Sequence, residues 1–185
     1  MPQEDDHLVR GPAVTERRSP PVAESDRPAR RFPGTDLPVG LMLGLVALGL
    51  PRTVLADLGI VAPESSLLYY VLALLPFAVW LTVAVVRRSR RPFRDFLVLG
   101  ILYGLTLVVV HQLLWDVGPS LGHHPPDGAL AFAARFGPEW RDLALRGYTV
   151  VVALLIGLGT GAITGLVAVL AGGWRARGGR SGPTR

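Results

Sequence analysis

Apolar residues are concentrated in four runs of this chain, which cover residues 37–50, 67–86, 96–115 and 148–171. Each of the last three is about 20 residues or longer, which lets an α-helix cross a hydrocarbon core of roughly 30 Å. A buried helix of a soluble protein is usually shorter and keeps a polar face, but residues 149–171 contain no ionisable side chain. The pattern predicts an all-α integral membrane protein, built as a four-helix transmembrane bundle.

The first run is the weakest of the four, because it is interrupted at Pro51 and Arg52. It spans a membrane only if one helix continues through both residues. We predict a transmembrane domain over residues 37–174, with spans at about 37–57, 66–86, 95–115 and 148–171, an outer loop at 116–147 and a tail at 175–185. A cleaved signal sequence is the alternative for the first run, because Val54-Leu55-Ala56 has the small residues of a cleavage site.

Residues 1–36 form a long polar segment that is rich in Pro, Arg, Asp and Glu. A segment with so few large apolar residues cannot bury enough surface to offset its loss of chain entropy. We therefore expect a disordered cytoplasmic N-terminal tail. It is either simply solvated or binds a regulatory partner.

Arginine is distributed unevenly between the two sides that the spans define. All 19 basic residues are arginine, and residues 1–36, 87–94 and 175–185 hold 6, 5 and 4 of them. The loop at 116–146 holds 3, and the loop at 58–66 holds none. Because cytoplasmic loops carry the excess of basic residues, both termini are predicted to be cytoplasmic. Lys and Asn, which have AT-rich codons, are not used, which indicates a GC-rich bacterial genome and hence the bacterial cell membrane.

The segment RRSRRPFR, at residues 87–94, is the densest positive cluster in the chain. At an inner membrane surface each arginine attracts anionic lipid by about 1 kcal/mol. We interpret the cluster as a topology signal that contacts lipid headgroups and not as a nucleic-acid site. Its members are Arg87, Arg88, Arg90, Arg91 and Arg94.

Three glycines at four-residue spacing, Gly157, Gly161 and Gly165, share one face of the last predicted helix, and we call them the glycine ridge. Helices in lipid are held together by close packing, which glycine permits because it has no side chain. Gly40 and Gly44 form a shorter version in the first run. The two surfaces either pack against each other inside the bundle, or bind a second copy of the chain or another membrane protein.

Ionisable residues inside a span are costly and therefore mark candidate sites. Arg52 and His111 both lie about 22–25 Å from the cytoplasmic edge of their spans, and Asp116 is close to the same level. One interpretation is a small substrate-binding site that opens outward, in which Arg52 holds an anion and His111 or Asp116 handles a proton. The other is that Arg52 reaches the outer headgroups or pairs with Asp57 or Asp116, and that His111 is a satisfied interfacial residue.

The outer loop is predicted to contain two short surface helices. Asp127 can cap a first helix that runs to Phe136. Pro138 suits the first position of a second helix. The pair is expected either to lie on the outer membrane surface or to pack over the bundle.

The sequence contains no motif of a known catalytic or cofactor site. It has no cysteine, and the adjacent His123 and His124 do not readily share one metal ion. We expect no enzymatic activity, no cofactor and no metal. The leading hypothesis is a non-enzymatic accessory or self-associating membrane protein. The alternatives are a small oligomeric transporter or channel, and a membrane enzyme or redox protein that uses the outer polar residues.

Overall fold

The computed structural model describes residues 34–61, 67–117 and 123–178 of the chain. The predicted N-terminal tail lies outside the described residues except for positions 34–36, and the C-terminal tail lies outside them beyond residue 178. Over the described ranges the chain is helical and contains no β-strand. The predicted fold class is confirmed in its coarse form, because four of the helices are long and apolar enough to cross a membrane.

Five α-helices follow one another in these ranges, and all but the fourth have the length of a membrane span. They are α1 Val39–Asp57, α2 Leu67–Val86, α3 Pro92–Leu113, α4 Asp127–Ala133 and α5 Arg141–Gly178. The first apolar run continues as one helix through Pro51 and Arg52, as a span requires. α3 begins earlier than the predicted residue 95, because a proline in the first turn has no N–H that would be left unsatisfied.

The four long helices form a bundle in which each packs mainly on two neighbours. α3 packs most extensively on α5, α1 packs on α2 and α3, and α2 also packs on α5. α1 and α3 run in one direction, and α2 and α5 run in the other. We call the end that carries the α2–α3 loop, residues 87–91, the basic end. The end at which α1 and α3 terminate is the opposite end.

Trp80 of α2 forms the centre of the core. Its indole Nε1 donates a hydrogen bond to the backbone carbonyl of Leu45 on α1 at 3.0 Å. Its ring meets the edge of Tyr103 on α3, with the ring centroids 5.5 Å apart. Elsewhere α2 buries only Ala84 and presents large apolar side chains outward, a surface suited to lipid.

The described segment that begins at residue 123 departs from the predicted pair of surface helices. α4 starts at Asp127 as expected but ends at Ala133, and it rests on α5 through the rings of Phe132 and Tyr148, whose centroids are 5.7 Å apart. The second helix is not separate. A short 3-10 turn at Pro138–Trp140 leads directly into α5, because no residue between Trp140 and the last apolar run stops the helix.

α5 is consequently much longer than the span predicted at 148–171. Its 38 residues extend over about 57 Å at 1.5 Å per residue. At the basic end it continues through Arg175 and Arg177, so the first residues of the predicted C-terminal tail are helical. The extra turns place basic side chains beside the α2–α3 loop.

Candidate functional site

The closest contact in the bundle lies between α3 and α5 and is made by glycines. A Cβ atom on Gly161 would lie 2.5 Å from the carbonyl oxygen of Phe96 and 2.9 Å from Cα of Gly100. A Cβ on Gly157 would lie 2.6 Å from Cα of Gly104. These are backbone atoms that cannot turn aside, so only glycine allows the two helices to approach this closely.

The glycine ridge thus packs inside the chain, and its third member, Gly165, faces the backbone of Phe93. Its partner is α3, whereas the sequence analysis considered only α1 as the internal partner. Gly100 and Gly104 were missed, although they have the same four-residue spacing. The glycines of α1, Gly40 and Gly44, have no neighbouring heavy atom within 4 Å of an added Cβ and face outward.

Arg52 lies between α1 and α2 towards the opposite end. Its Nη1 atom donates a hydrogen bond to the Tyr69 hydroxyl at 3.2 Å, and the guanidinium lies over the Tyr69 ring at 5.2 Å from the centroid. Among the described residues no carboxylate forms an ion pair with Arg52, so the predicted alternatives Asp57 and Asp116 are not its partners. A cation held only by a hydroxyl and a ring retains capacity to bind an anion.

His111 pairs with Asp57 where α1 and α3 end side by side. The Nδ1 atom of His111 and the Oδ2 atom of Asp57 are 2.7 Å apart, and the Asp57 side chain is buried. The carboxylate can only accept, so Nδ1 carries the donated hydrogen. A donor at this point also offsets the repulsion between a carboxylate and the negative C-terminal end of α1.

Asp116 belongs to a third group, which is organised by Arg146 of α5. The guanidinium contacts Asp116 and Gln112 at 3.4 Å each, and Asp142 at 2.9 Å. It also lies over the Trp115 ring, 4.8 Å from the centroid. From the sequence Arg146 was only a basic residue of the outer loop, because all its partners except Asp142 lie about 30 residues earlier in the chain.

The three residues that were predicted to form one candidate site therefore contact three different partners. Arg52 contacts Tyr69, His111 contacts Asp57, and Asp116 contacts Arg146. No hydrogen bond or ion pair of the described chain joins any two of the three. His111 lies level with Asp57, which is five residues beyond Arg52 on α1, and Asp116 lies beyond the end of α3.

A cavity of about 230 Å³ lies beside Arg52. All four long helices contribute to its wall, which combines Arg52 with the Tyr103 and Thr160 side chains and the α2 segment around Pro76. Because Pro76 has no N–H, the carbonyl of Leu72 in the preceding turn has no intrahelical donor. The wall therefore offers a cation, a backbone acceptor and two side chains with hydroxyl groups beside apolar residues.

A second polar network lies at the basic end and centres on Asp95 in the first turn of α3. This side chain is 0% exposed. Its Oδ1 atom accepts the backbone N–H of Asp36 at 3.1 Å, and its other oxygen accepts the Ser89 hydroxyl. Asp36 in turn accepts the backbone N–H of Arg90 at 2.8 Å. Two carboxylates and one serine thereby fasten the start of α1 to the α2–α3 loop.

The five arginines of the positive cluster at residues 87–94 fall into two groups. Arg94 packs its guanidinium on Gly34, and Arg91 precedes the first turn of α3. Arg87 and Arg88 line two neighbouring depressions, and Arg90 lines one of them. Among the described residues none of these five arginines forms an ion pair.

The described part of the chain contains no group of three or more His, Asp or Glu side chains that could hold a metal ion. The fold and its polar contacts define a four-helix bundle of membrane-spanning length, with a glycine-packed α3–α5 pair and polar networks at both ends. Comparisons with protein-family models, with curated proteins and with solved structures find no match to this chain.

Proposed function

We propose that the chain is a non-enzymatic membrane protein of the bacterial cell membrane that works by associating with copies of itself or with another membrane protein. The arginine distribution supports an orientation with both termini in the cytoplasm, because it places 15 arginines on one side and 3 on the other. In this orientation the basic end is cytoplasmic. The aromatic residues Phe132, Phe136 and Trp140 then lie towards the outer interface, where such side chains are favoured.

The observation that carries the proposal is the outward face of α1. Gly40 and Gly44 leave a groove with no neighbouring side chain, and Leu43 beside them is 61% exposed. Ala47 and Pro51 extend the same small-residue face towards the opposite end. The glycine ridge of α5 is already used by α3, and Gly40 and Gly44 are the described pair of glycines at four-residue spacing that remains open for another helix.

Replacing Gly44 with leucine is expected to weaken self-association by about tenfold or more, because the side chain fills the groove. The fold should persist, since leucine is a good helix former and nothing lies within 4 Å of the added Cβ. The dissociation constant is measured in liposomes by energy transfer between labelled copies at varied protein-to-lipid ratio.

Gly159→Leu provides the matched control, because Gly159 also faces open space but lies on α5. It should leave association unchanged. If the wild type and Gly44→Leu associate equally strongly, α1 is not the surface through which the copies associate. A monomeric wild type would exclude self-association, and purification from the native membrane with mass spectrometry would then look for a stoichiometric partner.

A second candidate function, that of a small oligomeric transporter or channel, is supported by the cavity beside Arg52. An arginine without a carboxylate partner in an apolar bundle attracts a small anion, and the cavity is large enough for one. Association of several copies through α1 would not obstruct it, because the Gly40–Gly44 groove faces away from the bundle centre.

Replacing Arg52 with glutamine is expected to abolish chloride flux by this candidate activity, because the side chain stays polar but loses its charge. Flux is measured with an anion-sensitive dye trapped in liposomes. Arg135→Gln removes an equal charge from an exposed position after α4 and should leave flux intact. Absence of flux in the wild type, or flux unaffected by Arg52→Gln, would count against a transporter.

A further inference from the structure

A cavity of about 460 Å³ lies at the basic end between the α2–α3 loop and the last turns of α5. One wall carries Arg87 and Arg88 of the loop, and Arg175 of α5 faces them. Ser89 and Pro92 complete the loop side, and the rest of the α5 side is apolar, with Ala168, Val169, Gly172 and Ala176. This combination exists only because α5 continues past the start of α3.

The three arginines form a concentrated positive charge that the described protein does not neutralise. None of them takes part in an ion pair within the described ranges. Asp36 lines a neighbouring depression together with Arg87 and Arg88, but its carboxylate and that of Asp95 belong to the network at the start of α1. There, Asp95 accepts hydrogen bonds from the Asp36 N–H and the Ser89 hydroxyl, and Asp36 accepts the Arg90 N–H. Guanidinium groups converging on one space repel one another until an anion enters, and phosphate matches their paired donors.

The apolar wall distinguishes this cavity from a plain phosphate site. Ala168 and Val169 continue the apolar surface of the span, and Val169 is 44% exposed. An added Cβ on Gly172 would meet no atom within 4 Å, so the path along α5 is open at this level. A free phosphate ion would gain nothing from contact with such an apolar wall, whereas the acyl chains of a lipid would pack along it.

We propose that this cavity is a binding site for an anionic phospholipid, whose phosphate groups contact Arg87, Arg88 and Arg175 while its acyl chains lie along α5. Three cations favour a lipid with two phosphates over a lipid with one. Basic pockets between helices at the cytoplasmic side are typical binding sites for such headgroups. The inference rests on the proposed insertion in the membrane but not on self-association through α1.

The test compares two double variants that remove the same charge from the same two segments. Arg88→Gln with Arg175→Gln empties the cavity of two cations, whereas Arg91→Gln with Arg177→Gln alters neighbours that do not line it. Full-length protein is titrated with cardiolipin, phosphatidylglycerol, phosphatidylcholine and inorganic phosphate in detergent. Native mass spectrometry counts the bound molecules.

The wild type is expected to prefer cardiolipin, and the cavity variant should lose affinity for it by about tenfold or more, while the control variant changes little. Gly172→Leu should weaken lipid binding without a change in charge. Equal loss in both double variants would indicate diffuse surface charge and overturn the site. Binding of inorganic phosphate at equal strength, insensitive to Gly172→Leu, would make it a phosphate site instead.

The two proposals fail in distinguishable ways. If the wild type does not float with liposomes, the membrane assignment fails and the lipid site fails with it. If the protein inserts and its cardiolipin affinity is unaffected by Arg88→Gln with Arg175→Gln, only the lipid site is wrong. Gly44→Leu should leave cardiolipin affinity unchanged, because the α1 groove contributes no residue to the cavity.

Discussion

Replacing Gly161 with alanine is expected to destabilise the bundle by roughly 2 kcal/mol, because the added methyl group collides with backbone. Its Cβ would lie 2.5 Å from the Phe96 carbonyl oxygen and 2.9 Å from Cα of Gly100. Relief requires α3 and α5, the most extensively packed pair in the bundle, to move apart. The free energy of unfolding is measured from helicity during denaturation with SDS in mixed micelles.

Gly159→Ala is the control for this prediction, because Gly159 lies on the same helix and an added Cβ meets nothing within 4 Å. Alanine is the better helix former by up to about 1 kcal/mol, so this variant should be unchanged or slightly more stable. The two substitutions, at positions only two residues apart, are thus expected to change the free energy of unfolding in opposite directions. Equal stability of both variants would contradict the close α3–α5 contact.

Asp95→Ala is expected to cost about 2–3 kcal/mol, because it leaves polar groups at the basic end without their acceptor. The Asp36 N–H loses its partner, and the Ser89 hydroxyl keeps only the more distant Asp36 carboxylate, at 3.2 Å. Asp95 also lies in the first turn of α3, where the positive end of the helix favours a carboxylate. We expect α1 to lose its fastening to the loop before the bundle unfolds as a whole.

Asp95→Asn should recover much of this loss, since the amide oxygen can still accept one hydrogen bond. Asp142→Ala serves as the control, because that carboxylate is exposed and bonds only Arg146 of its own helix among the described contacts. It should leave stability unchanged. Hydrogen exchange at the start of α1 separates local release from global unfolding. Protection at residues 39–45 that persists in Asp95→Ala would show that the network does not hold α1.

Gly161 and Asp95 illustrate two different limits on what could be predicted from the sequence. Gly161 was predicted as a packing residue from its spacing, but the helix that it packs on was not. Asp95 entered the sequence analysis only as the approximate start of a span, because its partners are 59 and 6 residues away in the chain, at Asp36 and Ser89. A carboxylate directly before an apolar run is visible in the sequence. It could have been interpreted as a residue that holds the end of the helix in place.

The candidate site shows the same limit. Arg52, His111 and Asp116 were placed near one level from the 1.5 Å rise of a helix. The distance of a residue along its own helix follows from counting residues. Which partner its side chain meets depends on which helices are neighbours. The structure assigns the three residues to Tyr69, Asp57 and Arg146, which no local pattern pairs with them.

The sequence by itself determined the number and apolar character of the long helices and the approximate bounds of the first three, because the length of an apolar run is a local property of the chain. It did not determine the bounds of α5, which continues beyond its apolar run at both ends. Only the tertiary structure decided the order of helices around the bundle, the glycine pairing of α3 with α5, and the partners of Arg52, His111, Asp116 and Asp95. Helical periodicity defines the faces of each helix, and four such helices can be arranged in several ways with the same faces buried. The arrangement is chosen by contacts between residues far apart in the chain, above all where Gly100 and Gly157 let two backbones meet.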